Sequence, residues 1–384
     1  LTFDVDPNSL EGRGLKAFGT IKELATRRSL FYKNFKNVRH WETGMMHSSI
    51  RQCSTVTRRH SMSAVNLQQL PKPNKGKIRD LLVSRYNNGL IISADLSGAE
   101  LRLGAALSKD ANLLACFVGD NKKDMHSLTA SSAMRLRWGN EVVDILMEEL
   151  QAKDEYDLFL KLRQHHNEKA PEDPDTLRAL GKNTNFASSY GGSAPKLAEL
   201  LIIPLEEAEQ MLQAKYDTYP RYEEWKLEIE AQMEKTGYAL TYKGARRHLR
   251  DALLSENKWE RAKAQRQGPN FMIQGSCGEA LRLAMCDLWD SGILWNLRCN
   301  FIAPVHDELV LDSHPDDAFE VAKTLHKCMV QENYMEDVPF VSSLSIGTSF
   351  YDQPEIEFSD PEVFEDEKVR EAIDKALQRY NEIA

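Results

Sequence analysis

The run Ala303-Pro304-Val305-His306-Asp307-Glu308-Leu309-Val310-Leu311-Asp312 constrains this chain more than any other. Two adjacent carboxylates, Asp307 and Glu308, stand between two apolar β-type runs, which predicts a tight hairpin with acids at its tip. Far upstream, Leu90-Ile91-Ile92-Ser93-Ala94-Asp95 is a second apolar strand ending in an acid. A strand-end Asp and a hairpin-tip Asp-Glu can converge at the edge of one sheet, where oxygen ligands hold hard divalent cations. Two metals roughly 3.5–4 Å apart can clamp the attacking and leaving oxygens of a phosphoryl transfer. An isolated Asp more often caps a helix or closes a turn, so the weight of this reading falls on what lies between the two runs.

The 384 residues suggest two or three lobes, and 42% hydrophobic content is enough for substantial cores. No apolar run approaches the ~18 residues of a membrane helix. Cys53, Cys116, Cys277, Cys286, Cys299 and Cys328 are scattered without a Cys-x-x-Cys pair, which reads as reduced thiols in a cytoplasmic protein (host cytoplasm if viral). No signal or transit peptide is read in these residues, and the start at Leu1 reads as a processed or excised piece. The net charge of −9 argues superficially against nucleic acid. Its distribution argues the other way. From Leu15 to Arg85 there are 15 Lys and Arg against 3 Asp and Glu, while from Asp352 onward 11 acids face 4 bases. A basic block in an acidic chain is an electrostatic footprint for a polyanion.

Along the chain, residues 15–37 read as a helix with Leu24, Leu30 and Phe31 as apolar anchors. Residues 38–71 suit short strands and an extended segment, and 72–77 form a basic, turn-rich loop. The strand at 89–94 leads to a helix over 98–108. Residues 110–175 read as several helices, and Glu172-Asp173-Pro174-Asp175 signals the start of the next. Charged helices over 205–236 break near Pro220, and Gly237–Leu249 reads as a hairpin. Helices are expected at 256–267 and 276–289, then the acid-tipped hairpin, an amphipathic helix over 316–331 and a strand at 339–346. In the tail, Val369, Ile373, Ala376, Leu377 and Tyr380 define a helical stripe that either packs on its own domain or docks a partner.

Arg178, Lys182, Phe186 and Tyr190 recur every fourth residue and share one broad helix face. Two cations followed by two aromatics suit a triphosphate with a stacked base, and they also suit an ordinary amphipathic helix. Here a resemblance covers most of the chain. Thr57-Arg58-Arg59-His60-Ser61 followed by Asn66-Leu67-Gln68-Gln69-Leu70-Pro71 resembles the TGR-S…PNLQNIP segment of family A DNA polymerases, the bacterial DNA polymerase I and phage replicative type. Asp95-Leu96-Ser97-Gly98-Ala99-Glu100-Leu101-Arg102 resembles that family's DYSQIELR motif. The 178–191 helix resembles its R-x3-K-x3-F-x3-YG motif. Arg266, Asn270 and Gln274-Gly275 resemble its R-x3-N-x3-QG segment, and His306-Asp307-Glu308 its final motif. The ordered blocks run from about residue 20 to 353.

The resemblance implies an α+β, right-hand polymerase fold with an antiparallel palm sheet, helical fingers and a truncated thumb. It implies a partial thumb and lead-in to the palm over 1–50, palm over 51–108 and 261–353, fingers over 109–260, and an acidic helical tail over 354–384. An added helical element is expected near 131–170. The implied reaction is template-directed addition of deoxynucleoside triphosphates to a primer 3′ end with two Mg²⁺ ions, in a chain lacking proofreading and 5′-nuclease domains. Asp95, Asp307 and the carbonyl of Leu96 would hold metal, with Glu308 in support. Arg178, Lys182 and His126 would meet the triphosphate, Phe186 and Tyr190 the base, and Glu100 would exclude ribose. Arg59, Asn66, Gln68, Arg266, Asn270, Gln274 and His306 would contact primer–template DNA. A separate polypeptide could carry the thumb and exonuclease. The alternatives are a non-catalytic DNA-binding subunit of the same fold and a relative of single-subunit RNA polymerases. Departures from the family pattern are Leu96 for Tyr, Gly98 for Gln, Arg58 for Gly and Val65 for Pro.

The basic block yields a direct expectation. Each duplex phosphate contact adds about −0.9 to the slope of log affinity against log salt. Duplex DNA binding, followed by fluorescence anisotropy, should show a slope of about −4 or steeper. A slope shallower than about −2 would remove the block as the DNA-gripping element.

Overall fold

The computed structural model describes residues 9–71, 78–119, 122–189, 192–330, 334–335, 337–360 and 363–383. The basic loop expected at 72–77 and Tyr190 lie outside them. In chain order the helices are α1 (Leu10–Arg27), α2 (Lys33–Val38), α3 (Ala99–Ser108), α4 (Ala111–Leu114), α5 (Met125–Trp138), α6 (Asn140–Glu149), α7 (Glu155–His165), α8 (Pro174–Ser189), α9 (Ala194–Leu201), α10 (Leu205–Thr218), α11 (Pro220–Thr236), α12 (Arg250–Leu253), α13 (Lys258–Asp290), α14 (Ile293–Asn296), α15 (Ala318–Val330) and α16 (Asp366–Ile383). The strands are β1 (Ser49–Arg51), β2 (Ser61–Ser63), β3 (Leu90–Leu96), β4 (Tyr238–Leu240), β5 (Arg246–His248), β6 (Cys299–Val305), β7 (Glu308–Ser313) and β8 (Ser342–Gly347). The class is α+β, mostly helical. The chain divides into two compact units, one of residues 1–95, 285–329 and 342–384, the other of 96–284 and 330–341.

The first unit is built on a four-stranded sheet in the order β6-β7-β3-β8. β7 is antiparallel to both β3 and β6, and the register pairs Ile92 with Leu311, Ser93 with Val310 and Asp95 with Glu308. Leu90, Ile91, Ile92 and Ala94 are essentially fully buried, as are Leu309 and Leu311. A strand apolar on both faces belongs to a sheet covered on both sides. One covering layer joins Phe31, Phe35, Met62, Val65, Leu67 and Ile78 to Ile91, Ala303, Val305 and Val310. The tail helix α16 packs on β8. It buries Val369, Ile373 and Ala376, and the Tyr380 hydroxyl donates to the Gly89 carbonyl at 2.6 Å. The tail stripe therefore covers its own unit.

At the N-terminal end the expectation needs correction. Of Leu24, Leu30 and Phe31, only Phe31 is buried; Leu24 and Leu30 are exposed, as are Phe18 and Ile21. A π-helical turn over Arg28–Tyr32 separates α1 from α2 and rotates Phe31 and Phe35 into the core.

The second unit is helical apart from the β4–β5 hairpin. Ala130, Met134, Val143, Leu146, Leu158, Phe159, Leu177, Leu197 and Met211 share one core, so α6 and α7 within 131–170 bury their apolar faces against α5, α8, α9 and α10. The two helices expected at 256–267 and 276–289 are one, α13, which continues through Pro269. A proline in a helix interior costs about 3 kcal/mol. Tertiary ties beyond it keep the helix whole. Phe271 is fully buried, the Tyr334 hydroxyl donates to the Ser276 carbonyl at 2.9 Å, and the Tyr242 N–H donates to Ser276 Oγ at 2.8 Å. Among the described residues no helix is long and apolar enough to cross a membrane.

The tail segment supplies a pH test. His326 is buried between the rings of Phe358 and Phe364, at 5.5 and 5.4 Å, and its Nε2 has no hydrogen-bond partner among the described residues. Burial holds its pKa below 6.5 despite the opposing bond to the Ser342 backbone. The unfolded chain therefore takes up this proton first, and the stability present above about pH 6.5 is lost as pH falls below it. Thermal midpoints should drop between pH 7.5 and 5.5, and His326→Leu should flatten that dependence. An unchanged slope in the variant would remove His326 as the cause.

Candidate active site

In the first unit, the β3–β7 register brings Asp95 opposite Glu308, with both side chains on one face of the sheet. Val305 pairs with Glu308 across β6 and β7, leaving His306 and Asp307 as a two-residue turn. His306 takes the left-handed conformation (φ 58°), as such a turn requires. Asp95 is exposed, and the Asp307 side chain is 26% exposed. Glu308 differs from both. Burial raises its pKa, opposed by a hydrogen bond from Ser93 and the charge of Arg79. A carboxyl that resists ionisation suits a supporting role.

Arg59 reaches the same turn, with its Nη2 3.4 Å from Asp307 Oδ1. Thr55 fixes its backbone, accepting the Arg59 N–H at 2.8 Å and donating to the Arg59 carbonyl at 3.2 Å. The preceding Arg58 has φ 60°, a conformation that glycine adopts without strain. The departure from the family's Gly at this position therefore adds backbone strain beside the site. The His306 ring nitrogen Nε2 lies 2.9 Å from the Gln68 carbonyl. Asn66 and Gln68 hold the same corner. The Asn66 side chain caps the turn Leu67–Gln69 by accepting from the Gln68 N–H at 3.1 Å, and Gln68 Nε2 donates to the His60 carbonyl at 3.4 Å.

In the second unit, α8 carries Arg178, Lys182 and Phe186 on one face, with Lys182 exposed and the Phe186 ring 65% exposed. The helix start read at 172–175 stands at Pro174, where Asp173 accepts from the Thr176 hydroxyl at 2.8 Å. Asp124 is a residue that sequence reasoning missed. It caps α5 through Ser127 N–H at 2.9 Å and grips Arg178 with both oxygens, at 2.8 and 3.1 Å. Burial would raise its pKa, but Arg178 and Ser127 outweigh that and hold it down to about 2. Its cap signature, an Asp just before a helix, was readable; its pairing with a residue far along the chain was not. His126 follows. Burial lowers its pKa, as do Arg178 and Lys182, against the pull of Asp124. At neutral pH it is an uncharged imidazole.

Glu100 stands in the first turn of α3 and lines a cavity of about 20 Å³ with Leu101, Lys215, Tyr222, Asn270 and Ile273. Gly98 precedes α3 with φ 62°, which accounts for glycine where the family carries Gln. Arg266, Asn270 and Gln274 recur every fourth residue on α13, Arg266 exposed, Asn270 half-buried and Gln274 buried.

Gly181 sets the approach of α8 to α5, since a Cβ there would lie 2.7 Å from the His126 carbonyl and 3.3 Å from the Ala130 nitrogen. Replacing a helical Gly by Ala usually gains about 1 kcal/mol. Here Gly181→Ala should instead cost about 1–3 kcal/mol in urea denaturation, because helix backbones must separate. A stabilised variant would mean the contact is loose.

Comparison with known proteins shows the family. The family model for DNA polymerase family A matches residues 14–144 and 143–352. DNA polymerase I of Borreliella burgdorferi is 28% identical over 330 residues, covering 86% of this chain and 32% of the relative. The thermostable DNA polymerase I of Thermus filiformis is 31% identical over 331 residues, covering 85% of this chain and 35% of the relative. A solved structure described as the POL domain of Pol1 from M. smegmatis in complex with DNA primer-template and dNTP superposes with a TM-score of 0.69 at 27% identity, over 86% of this chain and 52% of that one. The chain spans about a third of the length of these curated relatives.

Proposed function

The chain belongs to DNA polymerase family A, and we propose on that premise that it adds deoxynucleoside triphosphates to a primer 3′ end under the direction of a template. The observation that carries the proposal is the register that sets Asp95 opposite Glu308 with Asp307 at the adjoining turn. In this reading the sheet is the palm of a right-hand polymerase and the helical segment around α8 belongs to the fingers.

The donor set fits Mg²⁺. Asp95 and Asp307 offer carboxylate oxygens and Leu96 a backbone carbonyl, all hard ligands. Among the described residues no three Asp, Glu, His or Cys side chains form a closed metal cage. A partial oxygen shell is what Mg²⁺ takes when waters and substrate phosphates supply the rest. When bound, Mg²⁺ would lend Lewis-acid charge to the primer oxygen and the reacting phosphoryl group.

The chain's own residues then divide the work. Lys182 offers an exposed ammonium to the triphosphate. Arg178, already gripped by Asp124, offers the remaining N–H donors of a fixed fork. His126 contributes a neutral hydrogen-bonding ring, and Phe186 a largely exposed ring for a base. Arg59, by its hold on Asp307, balances the acidic turn before substrate arrives, and its other donors suit the minor-groove acceptors near the primer end. Glu100 crowds the sugar 2′ position. Asn270, Gln274, Arg266, Asn66, Gln68 and His306 complete the DNA-facing set.

Primer extension tests this. Asp95→Asn and Asp307→Asn should each lower kcat by about a hundredfold or more, with primer–template affinity kept within several-fold. Glu308→Gln should be milder, since its carboxyl already resists ionisation. Robust extension by either aspartate variant would sink the metal assignment, and preference for ribonucleotides would favour the RNA-polymerase alternative.

A further inference from the structure

Resting on the reading of Glu100 as the residue that excludes ribose, we propose that Lys215 is a positioning residue for Glu100, holding its carboxylate across the cavity the two side chains share. The Lys215 side chain is only 2% exposed. Its Nζ donates to Glu223 at 2.8 Å, and Lys226 pairs with the same Glu223. With Lys215 buried and Glu223 and Lys226 half-buried, this trio carries two positive charges and one negative, a surplus positive charge beside the cavity. Glu100 is the one carboxylate in the described cavity lining. Tyr222 lines the same cavity. Lys215 Nζ is 5.1 Å from the centre of its ring, and the charge of Glu100 acts on its hydroxyl.

The cavity, about 20 Å³, is roomy enough for one water, which needs on the order of 10–15 Å³ and two to four polar partners. Glu100, Asn270 and Lys215 supply such partners. A lysine that has donated once to Glu223 keeps two N–H donors for a bridge toward Glu100. The other titratable groups facing Lys215 are Tyr216 and Tyr219 on its own helix and Tyr222, Glu223 and Lys226 on α11. Burial raises the pKa of all three tyrosines, so none carries charge near neutrality.

Protonation of Lys215 makes the arrangement testable. Burial pushes its pKa down to about 8, against the attraction of Glu223. The ammonium is present below that pH and lost above it, so the hold on Glu100 weakens as pH rises through about 8. The quantity to measure is the ratio of deoxy- to ribonucleotide incorporation efficiency in single-nucleotide primer extension. The range runs from about pH 6.5 to about 9.5, between the ordinary His and Lys values. Ionisation of the primer hydroxyl cancels in this ratio, and so does a general loss of active enzyme.

The wild-type ratio should fall about five- to tenfold across the transition, the net size of one lost hydrogen bond. Lys215→Met should give a low ratio at every pH, with no transition. Glu223→Gln removes the ion partner and should move the transition to lower pH. Glu100→Ala separates the two levels of the argument. If it leaves the ratio unchanged, the reading of Glu100 itself is wrong. If it lowers the ratio while Lys215→Met keeps both the wild-type value and its pH dependence, the role of Lys215 is overturned. Should Lys215→Met fail to fold by circular dichroism, an unshifted transition in Glu223→Gln overturns it instead.

Discussion

Everything chemical in the first unit depends on the pairing of β3 with β7. Ile92 pairs with Leu311 and Ala94 with Leu309, and with Leu90, Ile91 and Val310 they make a ladder with almost no solvent contact. Each buried aliphatic contributes about 1.5–3 kcal/mol, and the strand period of two makes a one-residue slip turn every side chain to the opposite face. Hydrophobic burial thus decides the register, and the register decides where Asp95 and Glu308 stand. The carboxylates are the cost of that arrangement. Three acids at one sheet edge repel, and the structure answers with Arg59 at Asp307 and Arg79 near Glu308. The pKa of Glu308 is raised by its burial, against a hydrogen bond from Ser93 and the charge of Arg79.

The second unit reaches its electropositive face by helix packing. Gly181 lets α8 approach the α5 backbone, and Asp124 serves two elements at once, capping α5 and locking the Arg178 fork. The outcome is one oriented guanidinium and one exposed ammonium on the same helix face. Their chemistry differs accordingly, the fork giving direction and the lysine a compact charge that adjusts to its ligand.

Much of this was legible in the sequence, and the failures share a cause. The acid-tipped hairpin and the strand ending in Asp95 emerge within a residue or two of where apolar runs stop, because a strand buried on both faces leaves a continuous signal. The starts of α8 and α11 were legible from Asp173 and Pro220 for local reasons of capping and fixed φ. What the sequence did not reveal are choices made by packing. Leu24 and Leu30 sit at helical spacing yet face solvent, because the π-helical turn gives the core to Phe31 and Phe35. Pro269 predicts a break that the burial of Phe271 and the ties at Ser276 override. The grip of Asp124 on Arg178, and of Arg59 on Asp307, joins residues that no local window contains.

The eight residues Asp95–Arg102 show how closely architecture and chemistry are interleaved. Asp95 is exposed, Leu96 buried, Gly98 left-handed, Glu100 set on a cavity wall and Arg102 buried. Arg102 is the residue that a charge-based reading would assign to phosphate. Instead its Nε donates to the Ser97 carbonyl at 3.1 Å, its Nη1 to the Pro339 carbonyl at 2.9 Å, and its guanidinium lies 5.0 Å over the Phe117 ring. A buried cation needs such acceptors, since leaving it unpaired would cost several kcal/mol. Having them, it pins the corner between β3 and α3. The corner fixes where the Leu96 carbonyl ends and where the first turn of α3 begins, and therefore where Glu100 stands. The arginine acts through backbone, whereas of the two acids in the same motif one is exposed and one stands at a cavity wall. Within this motif, burial with satisfied hydrogen bonds marks the residue that builds the corner, and the exposed Asp95 is the one that the proposed function assigns to metal.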